Sequence, residues 1–247
     1  MSELNVTTWG NGTPVVFVHG SLVTGVEEWH AQQPLAEEGF CLVVPDRRGY
    51  GGSPTVHGED FLRDADDVAE LLGDGAHVVA HSYGGLGAML AASRRPEATL
   101  SLALLEPPAF TVVRHDSAGH ALVEDVRDVF DAELPDQEWL VRFLKAVGTD
   151  PATLPAGVLE EVAPFVPLVR RSRKPWECDL PTAALTSAPF PKLVVSGGHS
   201  DAFDAICDAL AERIDAECIE VSGAGHEIQF VGPPLNQALL DLWRKVA

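Results

Sequence analysis

Apolar residues along the chain fall into short runs separated by polar, glycine-rich breaks. Six of these read as strands: "PVVFVHG" at 14–20, "CLVVPD" at 41–46, "HVVAHS" at 77–82, "LSLALLE" at 100–106, "KLVVSGG" at 192–198 and "ECIEVSG" at 217–223. A strand covered on one face alternates apolar and polar positions. These runs are nearly continuous instead, which predicts strands buried on both faces. Helical spacing takes over between them, at 60–72, 84–95, 201–214 and 234–246. Strand–helix alternation predicts an α/β fold, a mostly parallel twisted sheet with helices on both faces. Ahead of the first run, "NVTTWGNGTPVVFV" carries Asn11-Gly12, a hairpin signal, and adds one antiparallel edge strand.

The rhythm breaks after Pro107. Leu122, Val126, Val129 and Phe130 recur at helical spacing, as do Trp139, Leu140, Phe143, Leu144 and Val147, and no run up to Ala188 reads as a strand. Prolines at 135, 151, 155, 164, 167, 175 and 181 cut this stretch into short helices. The expected organisation is a core of residues 1–106 and 189–247, with 107–188 inserted as a helical lid. A lid there would cover the carboxyl ends of the strands, where open α/β sheets bind ligands.

Composition narrows the partners. A formal charge of −20 repels nucleic acid and anionic membrane surfaces, so neither is expected as a partner; a small-molecule substrate on a monomer or homodimer is the separate expectation. Cys41, Cys178, Cys207 and Cys218 show no paired spacing, so no metal site is expected. The N-terminal stretch lacks a basic segment leading into a long apolar run, and no run approaches the ~20 residues of a membrane span. A cytoplasmic protein with reduced thiols is the expectation.

The chemistry begins at "HVVAHSYGGLGAML", residues 77–90, where a strand runs straight into a helix. Ser82 lies two positions from Ala80 and two from Gly84. Small residues at both flanks are what a strained elbow needs to hold a serine hydroxyl clear, whereas a plain helix cap does not require them. A serine hydroxyl needs a base to take its proton. His226, in the glycine-rich "SGAGHEIQF" after the last strand, is placed to swing over the sheet's end. His19 reads as a structural residue of its loop, His81 as support beside the serine, and His199 as a pocket candidate.

Together "HGS", "PDRRGYGGS", "AHSYGG" and "GAGHE" resemble, in order and spacing, the α/β-hydrolase fold family from about Val15 onward. The resemblance implies Ser82 as nucleophile and His226 as base. It also implies an oxyanion hole from the amides of Tyr83 and Ser21, with Leu22 as the alternative to Ser21. "DRRGYGGS" is expected to be a structural turn. No cofactor is expected.

Two carboxylates compete to orient the histidine. Gly198-His199-Ser200-Asp201 fits the family's pattern after the strand that follows the lid, but a helical pattern begins at once there and leaves little loop for Asp201. Glu106 ends the strand before the lid, delivered by a four-residue apolar run and followed by two prolines. Its placement resembles members that take the acid from this earlier strand, among them zearalenone lactonases, and Glu106 is favoured. Trp176 and Leu22 are expected to line the substrate pocket. Arg170, Arg171, Arg173 and Lys174 form a basic cluster best read as a solvated face. The expected activity is a serine hydrolase cleaving an ester or lactone of an apolar small molecule. Thioester, carbon–carbon and perhydrolase chemistry, or a low-turnover ligand receptor, stand as alternatives on the same triad.

Overall fold

The computed structural model describes residues 3–113 and 118–246. Seven strands form one sheet: β1 (Val6–Gly10), β2 (Thr13–Val18), β3 (Phe40–Pro45), β4 (Ala76–His81), β5 (Thr99–Leu105), β6 (Lys192–Ser196) and β7 (Glu217–Glu220). Their spatial order is β1-β3-β2-β4-β5-β6-β7, and every neighbouring pair except β1–β3 is parallel.

The edge strand is antiparallel, but the hairpin expected from Asn11-Gly12 does not form. β1 pairs with β3, Val6 opposite Pro45 and Gly10 opposite Cys41, while β2 lies on β3's other side. The turn therefore carries the chain across the start of β3 instead of folding β1 onto β2. That crossing is tight: a Cβ on Gly12 (φ +124°) would sit 2.0 Å from the Gly39 carbonyl oxygen. An Asn-Gly pair specifies a turn, and which strands it joins depends on the rest of the sheet.

Helices cover both faces: α1 (Gly25–Trp29), α2 (Phe61–Leu71), α3 (Gly84–Arg94), and, between β5 and β6, α4 (Ala118–Asp131), α5 (Asp136–Ala146), α6 (Val158–Val162), α7 (Val166–Arg170) and α8 (Thr182–Ser187); α9 (Asp201–Ile214) and α10 (Pro233–Trp243) complete the set. Successive strand residues point to opposite faces. Val16, Val18, Val78, Ala80, Leu102 and Leu104 pack under α2, α3 and α9. Val15, Phe17, Val79, Ala103 and Leu105 pack under Trp29 of α1 and Leu235, Leu239 and Trp243 of α10. Two cores on one sheet explain why the strands read as continuous apolar runs.

A third apolar cluster joins Val129 of α4, Trp139 and Leu140 of α5, and Val166 and Val169 of α7, with Leu22 reaching in from the loop after β2. Leu22 thus belongs to the packing of the inserted helices and is not among the residues bordering the cavity at Ser82. Among the described residues, 107–188 contains helices and turns and no strand.

Candidate active site

β4 and β5 are adjacent and parallel, with His81 opposite Leu105, so Ser82 and Glu106 emerge side by side past the carboxyl ends of their strands. The Ser82 amide donates to the Leu105 carbonyl at 2.9 Å and the Glu106 amide to Val195 at 3.0 Å, extending the sheet by one residue before the chain turns. Both residues then take left-handed backbone, φ +47° for Ser82 and +39° for Glu106. A non-glycine residue holds that conformation only where its surroundings impose it, and such residues gather at functional sites. The small residue after the elbow is also required: a Cβ on Gly84 would lie 2.4 Å from the His19 carbonyl oxygen.

His226 reaches the same point from the loop between β7 and α10. The loop passes so close over the end of β6 that a Cβ on Gly197 would meet the Gly225 carbonyl oxygen at 1.9 Å. His226 Nδ1 lies 2.7 Å from Glu106 Oε2, and its Nε2 lies 3.2 Å from Ser82 Oγ. A carboxylate only accepts, so Nδ1 carries the proton and Nε2 is left with a lone pair facing the serine hydroxyl. Glu106 is fully buried and accepts a second hydrogen bond, from the Gly197 amide, at 2.7 Å. Burial pushes its pKa up, but the hydrogen bonds and charges of His199 and His226 outweigh that and hold the carboxyl at about 2. It is therefore ionised at neutral pH.

Asp201 is elsewhere. It is exposed in the first turn of α9, where Ser200 is the capping residue, its Oγ 3.5 Å from the Phe203 amide. His199, two residues earlier, instead approaches the site, its Nδ1 3.3 Å from Glu106 Oε1. Glu106, His199 and His226 bring three potential metal donors within 4.8 Å of one another. The 2.7 Å between Glu106 and His226 is a hydrogen bond, shorter than the roughly 3.3 Å separating two ligands of one tetrahedral zinc ion.

His81 supports the site from below. Its Nε2 meets the carbonyl oxygen of His226 at 3.0 Å, and its Nδ1 lies 3.2 Å from Glu28, whose other oxygen accepts the Gly20 amide at 2.9 Å. Burial alone would lower its pKa; the Glu28 charge beside it outweighs this and raises it to about 9. His19, fully buried, contacts the Gly20 carbonyl at 2.7 Å and accepts the Arg47 amide at 2.8 Å. Burial, reinforced by the Arg47 charge, pushes its pKa well down, which fits a neutral structural ring.

Of the oxyanion candidates, the Leu22 amide is occupied, donating to the Tyr50 hydroxyl at 3.1 Å. The Ser21 and Tyr83 amides donate to no backbone carbonyl among the described residues. A cavity of about 40 Å³ is lined by Ser21, Ser82, Tyr83 and His226 together with the apolar side chains of Val126, Phe130, Phe143, Val147 and Val169. Trp176 does not line it. Pro175 forms the wall, while Trp176, next along the same tight turn, borders a separate groove and stacks edge-on against Phe130 at 5.8 Å under the Arg127 guanidinium. The basic cluster is largely engaged: Arg170 pairs with Asp136, Arg173 with Asp60, and Lys174 donates to the Arg170 carbonyl. Motif reading missed Glu59, a buried carboxylate bordering the same cavity, and Phe203, whose ring packs 4.9 Å from that of His226.

The sequence profile of the alpha/beta hydrolase family matches residues 15–236. This chain belongs to that family. It is 40% identical over 89 residues to the non-heme chloroperoxidase CPO-A1 of Kitasatospora aureofaciens, covering 34% of this chain and 32% of the relative. It is 36% identical over 136 residues to the bifunctional esterase/perhydrolase DCH of Acinetobacter calcoaceticus, covering 51% of this chain and 49% of the relative. These alignments thus span half or less of each relative's length. A thermophilic esterase from Thermogutta terrifontis shares the fold across nearly the whole chain, with a TM-score of 0.72 at 24% identity, covering 98% of this chain and 93% of that one. Among the described residues, no helix is long and apolar enough to cross a membrane.

Proposed function

We propose that this hydrolase is a serine esterase or lactonase that acts on small, apolar acyl substrates through an acyl-enzyme. The observation that carries this reading is the unbroken chain from Ser82 through His226 to Glu106, with contacts of 3.2 and 2.7 Å, with Ser82 and His226 lining an apolar cavity. His226 Nε2 takes the Ser82 proton as Oγ attacks the substrate carbonyl. The carbonyl electrons move onto oxygen, where the Ser21 and Tyr83 amides receive the developing charge; such donors contribute about 3 kcal/mol each. Collapse of the adduct breaks the acyl–oxygen bond, and His226 returns the proton to the leaving alcohol. Water, deprotonated by His226, then releases the acid and restores Ser82. Glu106 keeps Nδ1 protonated and stabilises the imidazolium throughout.

Nine of the fifteen residues lining the cavity lie between β5 and β6, with Val126, Phe130, Phe143 and Val169 on α4, α5 and α7, so this inserted segment acts as a lid that selects the acyl group. The small volume favours short acyl chains. A second reading, perhydrolysis, has hydrogen peroxide replace water at the acyl-enzyme and release a peracid. The match to a relative named a bifunctional esterase/perhydrolase supports it. Stopped-flow turnover of p-nitrophenyl acetate tests the main reading. A burst of one equivalent of p-nitrophenol followed by steady turnover is expected. No burst and no turnover with acetate, butyrate or a simple lactone would favour the ligand receptor instead.

A further inference from the structure

Glu59 belongs to none of the motifs, yet its side chain is fully buried and the residue borders the cavity with Ser21, Ser82 and Tyr83. A buried carboxylate is costly unless it is paired and hydrogen-bonded. Arg47 supplies the charge at 3.0 Å and shares it with Asp64, also at 3.0 Å. The Tyr50 hydroxyl donates to Glu59 Oε1 at 2.9 Å. The Ser21 hydroxyl donates across both oxygens, 2.8 Å from Oε1 and 3.0 Å from Oε2.

These partners converge on the loop that carries Ser21. Tyr50, while donating to Glu59, accepts the Leu22 amide at 3.1 Å, and Arg47 donates to the Gly20 carbonyl at 2.8 Å. Leu22 is held at φ +70°, a conformation a leucine keeps only when its surroundings enforce it. On the opposite side, the Tyr83 hydroxyl donates to the Arg173 carbonyl at 2.8 Å and passes the Glu59 carbonyl at 3.3 Å. Of the two residues proposed to supply the oxyanion amides, Ser21 is therefore tied by its side chain to Glu59, and its neighbours Gly20 and Leu22 to Glu59's partners Arg47 and Tyr50.

We propose that Glu59 is a positioning residue of the oxyanion hole, acting through the Ser21 hydroxyl; this rests on the serine-hydrolase reading above. Oxyanion donors work only when held about 2.7–3.1 Å from where the oxyanion forms, a tolerance of a few tenths of an ångström. A loop holding a left-handed leucine relaxes unless it is anchored, and an ionised acceptor anchors a hydroxyl more firmly than a neutral one. Glu59 transfers no proton and touches no reacting atom.

Two variants test this. Ser21→Ala deletes the link while keeping the Ser21 amide and the Arg47–Glu59 pair; Glu59→Gln removes the charge. Both are assayed for kcat and KM on p-nitrophenyl acetate, and for affinity toward a trifluoromethyl ketone, whose adduct places its oxyanion in the hole. Ser21→Ala is expected to lower kcat about 10- to 100-fold, change KM less than about threefold, and weaken the ketone by a factor similar to the kcat loss. The double variant should fall within about twofold of Glu59→Gln alone, because both changes cut one link. Unchanged kcat and ketone affinity in Ser21→Ala, or fully additive losses, overturns the proposal. Should Glu59→Gln fail to fold by its melting curve, Ser21→Ala decides alone. Full turnover by Ser82→Ala would overturn the serine-hydrolase reading itself, a separate outcome.

Discussion

Glu106 Oε2 sits 2.7 Å from His226 Nδ1, across 120 residues of chain. The contact depends on the register of β4 against β5, which sets Glu106 beside Ser82, and on the loop after β7, which folds back over Gly197. Asp201 is exposed on α9 and takes no part in it.

The two carboxylates therefore behave differently on substitution. Glu106→Gln removes the charge facing the imidazolium and should lower kcat about 10³- to 10⁴-fold, as loss of a triad carboxylate does. Asp201→Asn removes a favourable charge from the first turn of α9, which costs roughly 0.3–1 kcal/mol of stability, and should leave kcat within about tenfold. Steady-state rates of both variants with one ester at one pH decide. A large loss in Asp201→Asn beside a near-normal Glu106→Gln reverses the assignment.

The choice between these acids shows where sequence reading stops. The strands, the elbow at Ser82 and the histidine loop are local patterns, and the chain spells them out. Whether Glu106 or Asp201 meets His226 depends on strand register and loop path, which no local pattern encodes; the helical pattern after Asp201 was the available hint. Glu59 left less trace still. Within "HGEDFL" it reads as one more acidic loop residue, and its role emerges only when Ser21, Arg47 and Tyr50 converge on it. Trp176 lies beside a separate groove for a related reason: adjacent residues of a short proline-led turn face different sides, and apolarity alone does not say which faces the cavity.

Cavity shape should govern acyl preference. Phe143 lines the wall beside Val126 and Val147, whereas Trp176 lies outside it. Phe143→Ala should raise kcat/KM for a p-nitrophenyl hexanoate relative to the acetate by about tenfold, the scale of one or two methylenes in an apolar pocket. Trp176→Ala should move that ratio less than about threefold. A larger shift from Trp176 than from Phe143 would place the acyl site in the outer groove.

The buried His81–Glu28 pair links stability to pH. With its pKa raised from 6.5 to about 9, His81 contributes stability that is full below pH 6.5 and lost as pH rises through 9. The contribution is at most about 3 kcal/mol. Melting temperatures at pH 6.5 and 9.5 should fall more steeply for the wild type than for His81→Gln. Parallel slopes would mean that His81 is neutral in the fold.

Covalent labelling asks whether Ser82 is a nucleophile activated by His226. Wild-type protein treated with a fluorophosphonate should gain one adduct by intact mass, and peptide mapping should locate it on Ser82. Ser82→Ala should gain none and lose about four to six orders of magnitude in kcat while keeping the wild-type melting profile. Equal labelling of wild type and Ser82→Ala, or an adduct mapped to another residue, would contradict the mechanism.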